Sequence, residues 1–222
     1  MPAPGKFPLI VYLASYNGMG YENYVLFEQW VKRGFVVVSI NSIGRYPGDM
    51  TMKNDDLLEQ VNDALYSINF LRSEPLINFS KIGIAGYSWG GLAGTIIAGR
   101  LKETACVLSL DGSEFHHYGA SKEDDADFNE IVNSSDLSRM ALSVPYLRLQ
   151  SAPVGSKSSK DSVYNFLNKM VAQKQVMTID SSTHEDFSCL PTIVRASGGC
   201  RNNGRFDKVL AMSVNYFQKH LN

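Results

Sequence analysis

The chain has 222 residues, 44% of them hydrophobic and 19% charged, with a formal net charge of -1. That length fits one sizeable core rather than two ordinary domains, and the composition is that of a folded globular protein, not a disordered or fibrous one. The near-zero charge supplies no basic face for nucleic acid, and no apolar run approaches the roughly 20 residues that cross a bilayer.

The N-terminus, MPAPGKF, carries a single Lys and does not read as a signal peptide; with no other targeting signal, a cytoplasmic or an exported location stays open. PLIVYLA (8–14) is the first expected strand. YENYVLFEQWVKRG (21–34) is an amphipathic helix with Tyr24, Phe27 and Val31 on one stripe and Gly34 as its stop. FVVVSI (35–40) is the second strand. NDDLLEQVNDALYSINFLRS (54–73) is a helix with acids at its start and Leu57, Val61, Leu65, Ile68 and Leu71 at helical spacing. KIGIAGY (81–87) is the third strand, 89–101 a helix, and ACVLSLD (105–111) the fourth strand. Residues 112–143 form a long acidic connection around SKEDDADFNEIVNSS, expected to be a lid or functional insertion. PYLRLQ (145–150) and QVMTI (175–179) are more polar strands expected nearer an edge, with helices at 160–173 and 206–221. Short β-branched runs alternating with amphipathic segments predict a single α/β domain: a mostly parallel sheet of about six strands with helices on both faces.

The chemistry centres on IAGYSWGGLAG (84–94), where Ser88 stands in G-x-S-x-G between a buried strand and a small-residue helix. The bare pattern recurs by chance; its setting gives it meaning. In that setting a tight turn lifts the hydroxyl above the sheet, and the following helix offers N–H groups and a positive dipole end. A serine nucleophile needs a base, and the base an orienting acid. Of four histidines, His220 lies two residues from the C-terminus, and adjacent His116 and His117 have no acid cluster to make them metal ligands. His184, in DSSTHEDFSCLP after the last strand, is the candidate base. SAPVGS, after the 145–150 strand, has no carboxylate; Asp111, closing the preceding strand, is the candidate acid, with Asp180 and Asp186 as rivals. No metal and no cofactor are expected.

Cys106 reads as a small buried hydrophobe. Cys189 and Cys200 bracket LPTIVRASGG and are either a disulfide or two loop thiols.

PLIVYLASYNG, GYSWGG, SLDG and THEDF together resemble the α/β-hydrolases, and within them the branch of platelet-activating-factor acetylhydrolases and dienelactone-hydrolase-like proteins. The resemblance covers nearly the whole chain. It implies the three-layer fold, Asp111 as the acid, and an H-x-x-F setting for His184. Two departures stand out: Ala14-Ser15-Tyr16-Asn17-Gly18 replaces the family's His-Gly, and there is no antiparallel strand pair before PLIVYLA, so the chain is a minimal or trimmed version. Ser88 in place of cysteine argues against dienelactone chemistry proper.

The expectation is a serine hydrolase for a small-molecule carboxylic ester, short-chain or acetyl, with Ser88, His184 and Asp111 as its triad. The oxyanion donors are the N–H groups of Trp89 and Tyr16, with Ser15 and Asn17 as alternatives to Tyr16. Tyr16, Met19, Trp89, Phe115, Tyr118 and Phe187 are candidate pocket walls or, equally, core. A peptidase or acyltransferase on the same triad and a non-catalytic binding protein are the competing readings.

Overall fold

The computed structural model describes residues 5–115, 122–151, 166–189 and 204–222. Six strands form one all-parallel sheet: β1 (Phe7–Leu13), β2 (Val36–Ile40), β3 (Ile77–Tyr87), β4 (Thr104–Leu110), β5 (Tyr146–Gln150) and β6 (Lys174–Thr178), in the order β2-β1-β3-β4-β5-β6. The helices are α1 (Tyr24–Val31), α2 (Asn54–Phe70), α3 (Trp89–Arg100), α4 (Lys122–Asn133), the short α5 (Ser135–Ser138) and α6 (Arg205–Leu221).

β1 shows why the sheet must be covered on both faces. Leu9, Val11 and Leu13 enter one core with α2, α3 and α4, while Ile10, Tyr12 and Ala14 enter another with α1 and α6. Side chains alternate across a strand, so a continuous apolar run with both faces buried needs two helical layers. Burying each Leu or Ile contributes about 1.5–3 kcal/mol. Register aligns the carboxyl ends: Leu13 pairs with Gly86, and Tyr87 with Leu110. Successive connections diverge between β1 and β3, the place where open parallel sheets leave a crevice beyond their carboxyl ends.

Local details differ from expectation in several places. In α1 the buried side chains are Leu26 and Trp30, whereas Tyr24 and Val31 are exposed. The phase is set by α6, where Ser213 Oγ accepts a 3.0 Å bond from Trp30 Nε1 and Phe217 meets the indole edge-on. Before α1, residues 21–23 form turns, with Glu22 and Asn23 buried. Of the helix expected over 160–173, residues 160–165 lie outside the described chain; Phe166–Lys169 is a 3-10 turn, and Met170 bridges to Leu142. As expected, β6 is an edge strand with β5 beside it, although the polar Arg148 of β5 is buried. Finally, the acidic 112–143 segment includes α4 and α5, whose Phe128, Ile131 and Leu137 are fully buried in the core beside α2 and α3. Phe128, Ile131 and Leu137 thus tie this part of the segment to the core.

Candidate active site

Ser88 joins β3 to α3 with φ 54° and ψ -121°, a backbone region that a residue with a Cβ enters only at a cost of roughly 1–3 kcal/mol. Neighbouring hydrogen bonds hold it there. Ser88 N–H donates to Leu110 O (3.0 Å), and Ser88 O accepts from Gly91 N (3.0 Å) and Ser113 N (2.9 Å). The glycines are sterically required. A Cβ at Gly86 would run into the Gly90 carbonyl and lie 2.6 Å from Gly91 N, while one at Gly90 would lie 2.6 Å from Ala14 O. All these obstacles are backbone, which no rotamer change relieves.

Asp111 follows β4 directly, with φ 46°. Its Oδ2 stands 2.8 Å from His184 Nδ1, and its Oδ1 accepts Ser151 N–H at 2.9 Å and lies 3.6 Å from Arg148 Nη2. Burial pushes the Asp111 carboxyl up, but the His184 and Ser151 hydrogen bonds and the Arg148 charge outweigh it and hold it below the usual carboxylate range. Arg148, only 2% exposed, also donates to Gly112 O (2.6 Å) and lies 3.4 Å from buried Glu114, which accepts a bond from Tyr146 Oη. A cation among acceptors of this kind orients the acid without leaving a bare buried charge.

His184 begins a 3-10 turn, His184–Phe187, and its side chain is 43% exposed. Tyr87, the residue before Ser88, stacks on the imidazole at 4.8 Å and donates its hydroxyl to the His184 carbonyl at 3.1 Å. The rival acids are placed otherwise. Asp186 caps its own turn, accepting Thr183 N–H, and pairs with Arg205 at 3.3 Å; Asp180 is exposed. Asp111 thus touches the imidazole, and the Ser88 backbone is hydrogen-bonded to Leu110 and Ser113, on either side of Asp111 in sequence.

On the facing side, the loop after β1 turns back through Gly18 N–H to Ser15 O (2.8 Å). Ser15 N–H donates to Glu22 Oε1 at 2.8 Å, so that amide is engaged within the loop. Tyr16 Oη and Asn17 Nδ2 both donate to Met50 O, and the Tyr16 ring meets Trp89 edge-on at 6.0 Å. Met19 is exposed. Phe187 is 0% exposed, part of the core with Ile10 and Val209, and so lines no accessible wall. Tyr118, His116, His117 and Cys200 fall outside the described residues, as does the Phe115 side chain. The disulfide expectation for Cys189 therefore lies outside them too.

Sequence reasoning missed Glu22, Asn23, Tyr87 and Arg148. Arg148 alone had a usable signal, since a guanidinium inside YLRLQ has to find carboxylates. Glu22 is 1% exposed; burial raises its carboxyl pKa, partly offset by bonds from Ser15 and Tyr12 and by the His184 charge. Among the described residues no group of three His, Cys, Asp or Glu side chains could hold a metal, and no helix is long and apolar enough to cross a membrane.

Two family models match the chain. That of the C-terminal domain of BAAT and acyl-CoA thioester hydrolases covers residues 65–192, and that of X-Pro dipeptidyl-peptidases of the S15 family covers residues 1–127. Each spans more than half of the chain, and together they take in the turn at Ser88, the crevice loop after β1 and the His184 turn. The chain belongs to the α/β-hydrolase superfamily. No curated protein matches this α/β-hydrolase in sequence. Solved structures match it in fold. A ferulic acid esterase from Streptomyces cinnamoneus superposes with a TM-score of 0.70 at 17% identity, covering 99% of this chain and 68% of the esterase. DcsB in complex with its substrate analogue gives 0.66 at 16% identity over 98% and 91% of the two chains. The acylaminoacyl peptidase of Pyrococcus horikoshii gives 0.67 at 18%, over 98% of this chain and 38% of the peptidase. The family matches make this α/β-hydrolase a hydrolase of the serine class.

Proposed function

We propose that this hydrolase cleaves small carboxylic esters, short-chain or acetyl, through an acyl-enzyme on Ser88. The observation that carries the proposal is the 2.8 Å contact of Asp111 Oδ2 with His184 Nδ1, made beside a serine held in a strained strand-to-helix turn. With Nδ1–H committed to Asp111, Nε2 is the unprotonated nitrogen and accepts the Ser88 proton as Oγ attacks the acyl carbon. Asp111 stabilises the imidazolium that results. The oxyanion is received by the N–H of Trp89, the first residue of α3, and by that of Tyr16, with Asn17 as the alternative; the bond from Ser15 N–H to Glu22 weighs against Ser15. Each such donor lowers the barrier by about 3–4 kcal/mol. His184 then returns the proton to the leaving alcohol, and water activated by the same imidazole releases the acid. Placement in the acetylhydrolase-like branch rests on Asp111 standing after β4.

The match to the acyl-CoA thioester hydrolase family favours a second substrate on the same machinery, since a thioester passes through the same acyl-enzyme. Turnover of p-nitrophenyl esters of rising chain length, an acyl thioester and an X-Pro anilide, compared side by side, ranks ester, thioester and peptidase readings. Ser88→Ala is expected to abolish ester turnover and fluorophosphonate labelling with the fold intact. More than a few per cent residual activity sinks the nucleophile assignment, and an inert wild-type protein favours a binding role.

A further inference from the structure

We propose that the buried dipeptide Glu22–Asn23 is the positioning node of this site, fixing the loop that presents the oxyanion amide against the turn that presents His184. The inference rests on the serine-hydrolase reading above and assigns no group that touches substrate.

The Glu22 carboxylate faces the first of these segments. It accepts Ser15 N–H (2.8 Å), Ser15 Oγ–H (2.6 Å) and Tyr12 Oη–H (2.8 Å). Two of these three donors belong to the residue immediately before Tyr16, so the carboxylate sets the direction of the next amides. The same dipeptide holds the second segment, 166 residues away, through its backbone and its amide side chain. Glu22 O accepts Ser188 Oγ–H (3.1 Å) and Cys189 N–H (3.1 Å). Asn23 Nδ2 donates to Phe187 O (3.0 Å), and Asn23 Oδ1 accepts Cys189 N–H (3.1 Å). Asn23 Nδ2 also donates to Tyr12 Oη (2.8 Å), which closes a ring through Glu22.

A carboxylate without water is costly unless its lone pairs are filled, and an apolar side chain would fill the same space without that demand. What an apolar side chain lacks is direction. Attack needs Nε2 of His184 and the oxyanion amide to be correct together, and errors below an ångström in such groups lower the rate more than the binding. His184 is half-exposed and is pinned at its own position by Tyr87 and Asp111; the 187–189 end of its turn is pinned by the dipeptide.

The test uses the full chain as wild type, Glu22→Gln, Asn23→Ala and Ser15→Ala, with p-nitrophenyl acetate kinetics, melting curves and amide hydrogen exchange. Glu22→Gln and Asn23→Ala are expected to lower kcat by about 10–100-fold while KM stays within about threefold. Exchange is expected to respond across the node: Asn23→Ala quickens it at Ser15, and Glu22→Gln quickens it at Cys189. Ser15→Ala, which removes only one bond to Oε2, carries the test if Glu22→Gln does not fold, with an expected loss of about 3–10-fold in kcat. Folded variants with kcat within about twofold of wild type overturn the node, as do a lowered melting temperature without a kcat change and exchange effects confined to the altered side. A wild-type protein inert to ester and probe defeats the hydrolase reading instead, and the cross-node exchange then decides the node by itself.

Discussion

Replacing Asp111 by asparagine exchanges one oxygen for an NH2 group, and the surroundings decide which oxygen is lost. Ser151 N–H at 2.9 Å and Arg148 Nη2 at 3.6 Å both face Oδ1. Both are donors, so the amide keeps its oxygen there and turns its NH2 toward His184 Nδ1, where Oδ2 stood at 2.8 Å. Nδ1 must then accept, the imidazole proton moves to Nε2, and Nε2 can no longer take the Ser88 proton. Flipping the amide restores the tautomer but leaves the Ser151 N–H facing a donor, at about 1–3 kcal/mol. The charge opposite the imidazolium is lost in either orientation, worth about 1.5–3 kcal/mol for a hydrogen bond to a charged group. Together these give about 2.5–6 kcal/mol, or two to four orders of magnitude in turnover at 1.36 kcal/mol per decade. The equivalent change in a serine protease costs about 10⁴. Folding should survive, because Arg148 keeps Gly112 O and Glu114. The assay is kcat on p-nitrophenyl acetate with a melting curve as control, alongside Asp180→Asn and Asp186→Asn, which should lose far less. If Asp111→Asn keeps activity within tenfold of wild type, or Asp180→Asn is the crippling change, the assignment of the acid is refuted.

Gly86→Val should prevent stable folding or lower the melting temperature sharply, because its Cβ meets the backbone of Gly90 and Gly91; an unchanged melt would contradict the tight turn. Phe128→Ala should cost about 3–5 kcal/mol in urea unfolding, since this α4 side chain is fully buried; a loss below about 1 kcal/mol would contradict its place in the core. The depressed Asp111 carboxyl stabilises the fold above the ordinary aspartate pKa near 4, and that contribution disappears as pH falls through its lower folded-state value. The wild-type melting temperature should therefore drop more steeply than that of Asp111→Asn as pH falls below about 4, and parallel curves would refute the ionic reading.

Much of this protein is local in origin. The apolar runs of β1, β3 and β4 are legible because a strand buried on both faces has no polar alternation to disguise it, and Gly86-Tyr87-Ser88-Trp89-Gly90 is legible because its steric demand falls within five residues. The positions of Asp111 and His184 after strand ends follow from the same order of elements. The phase of α1 was not legible: YVLFEQWV has apolar residues around much of its circumference, and only α6 selects Leu26 and Trp30 as the inward stripe. Nor could the acidic run of 112–143 disclose Phe128 and Ile131 as core, since packing acts on a few side chains while composition averages over all of them. Whether Phe187 is pocket wall or core is equally open from sequence; burial with Val209 decides for the core. Glu22 and Arg148 show the underlying reason. A buried charge is tolerated only where partners from distant segments converge on it, here Ser15 and Tyr12 for one and Asp111, Gly112 and Glu114 for the other. Periodicity and local motifs describe a residue's neighbours along the chain, whereas desolvation and its compensation depend on neighbours in space, which the tertiary fold alone supplies.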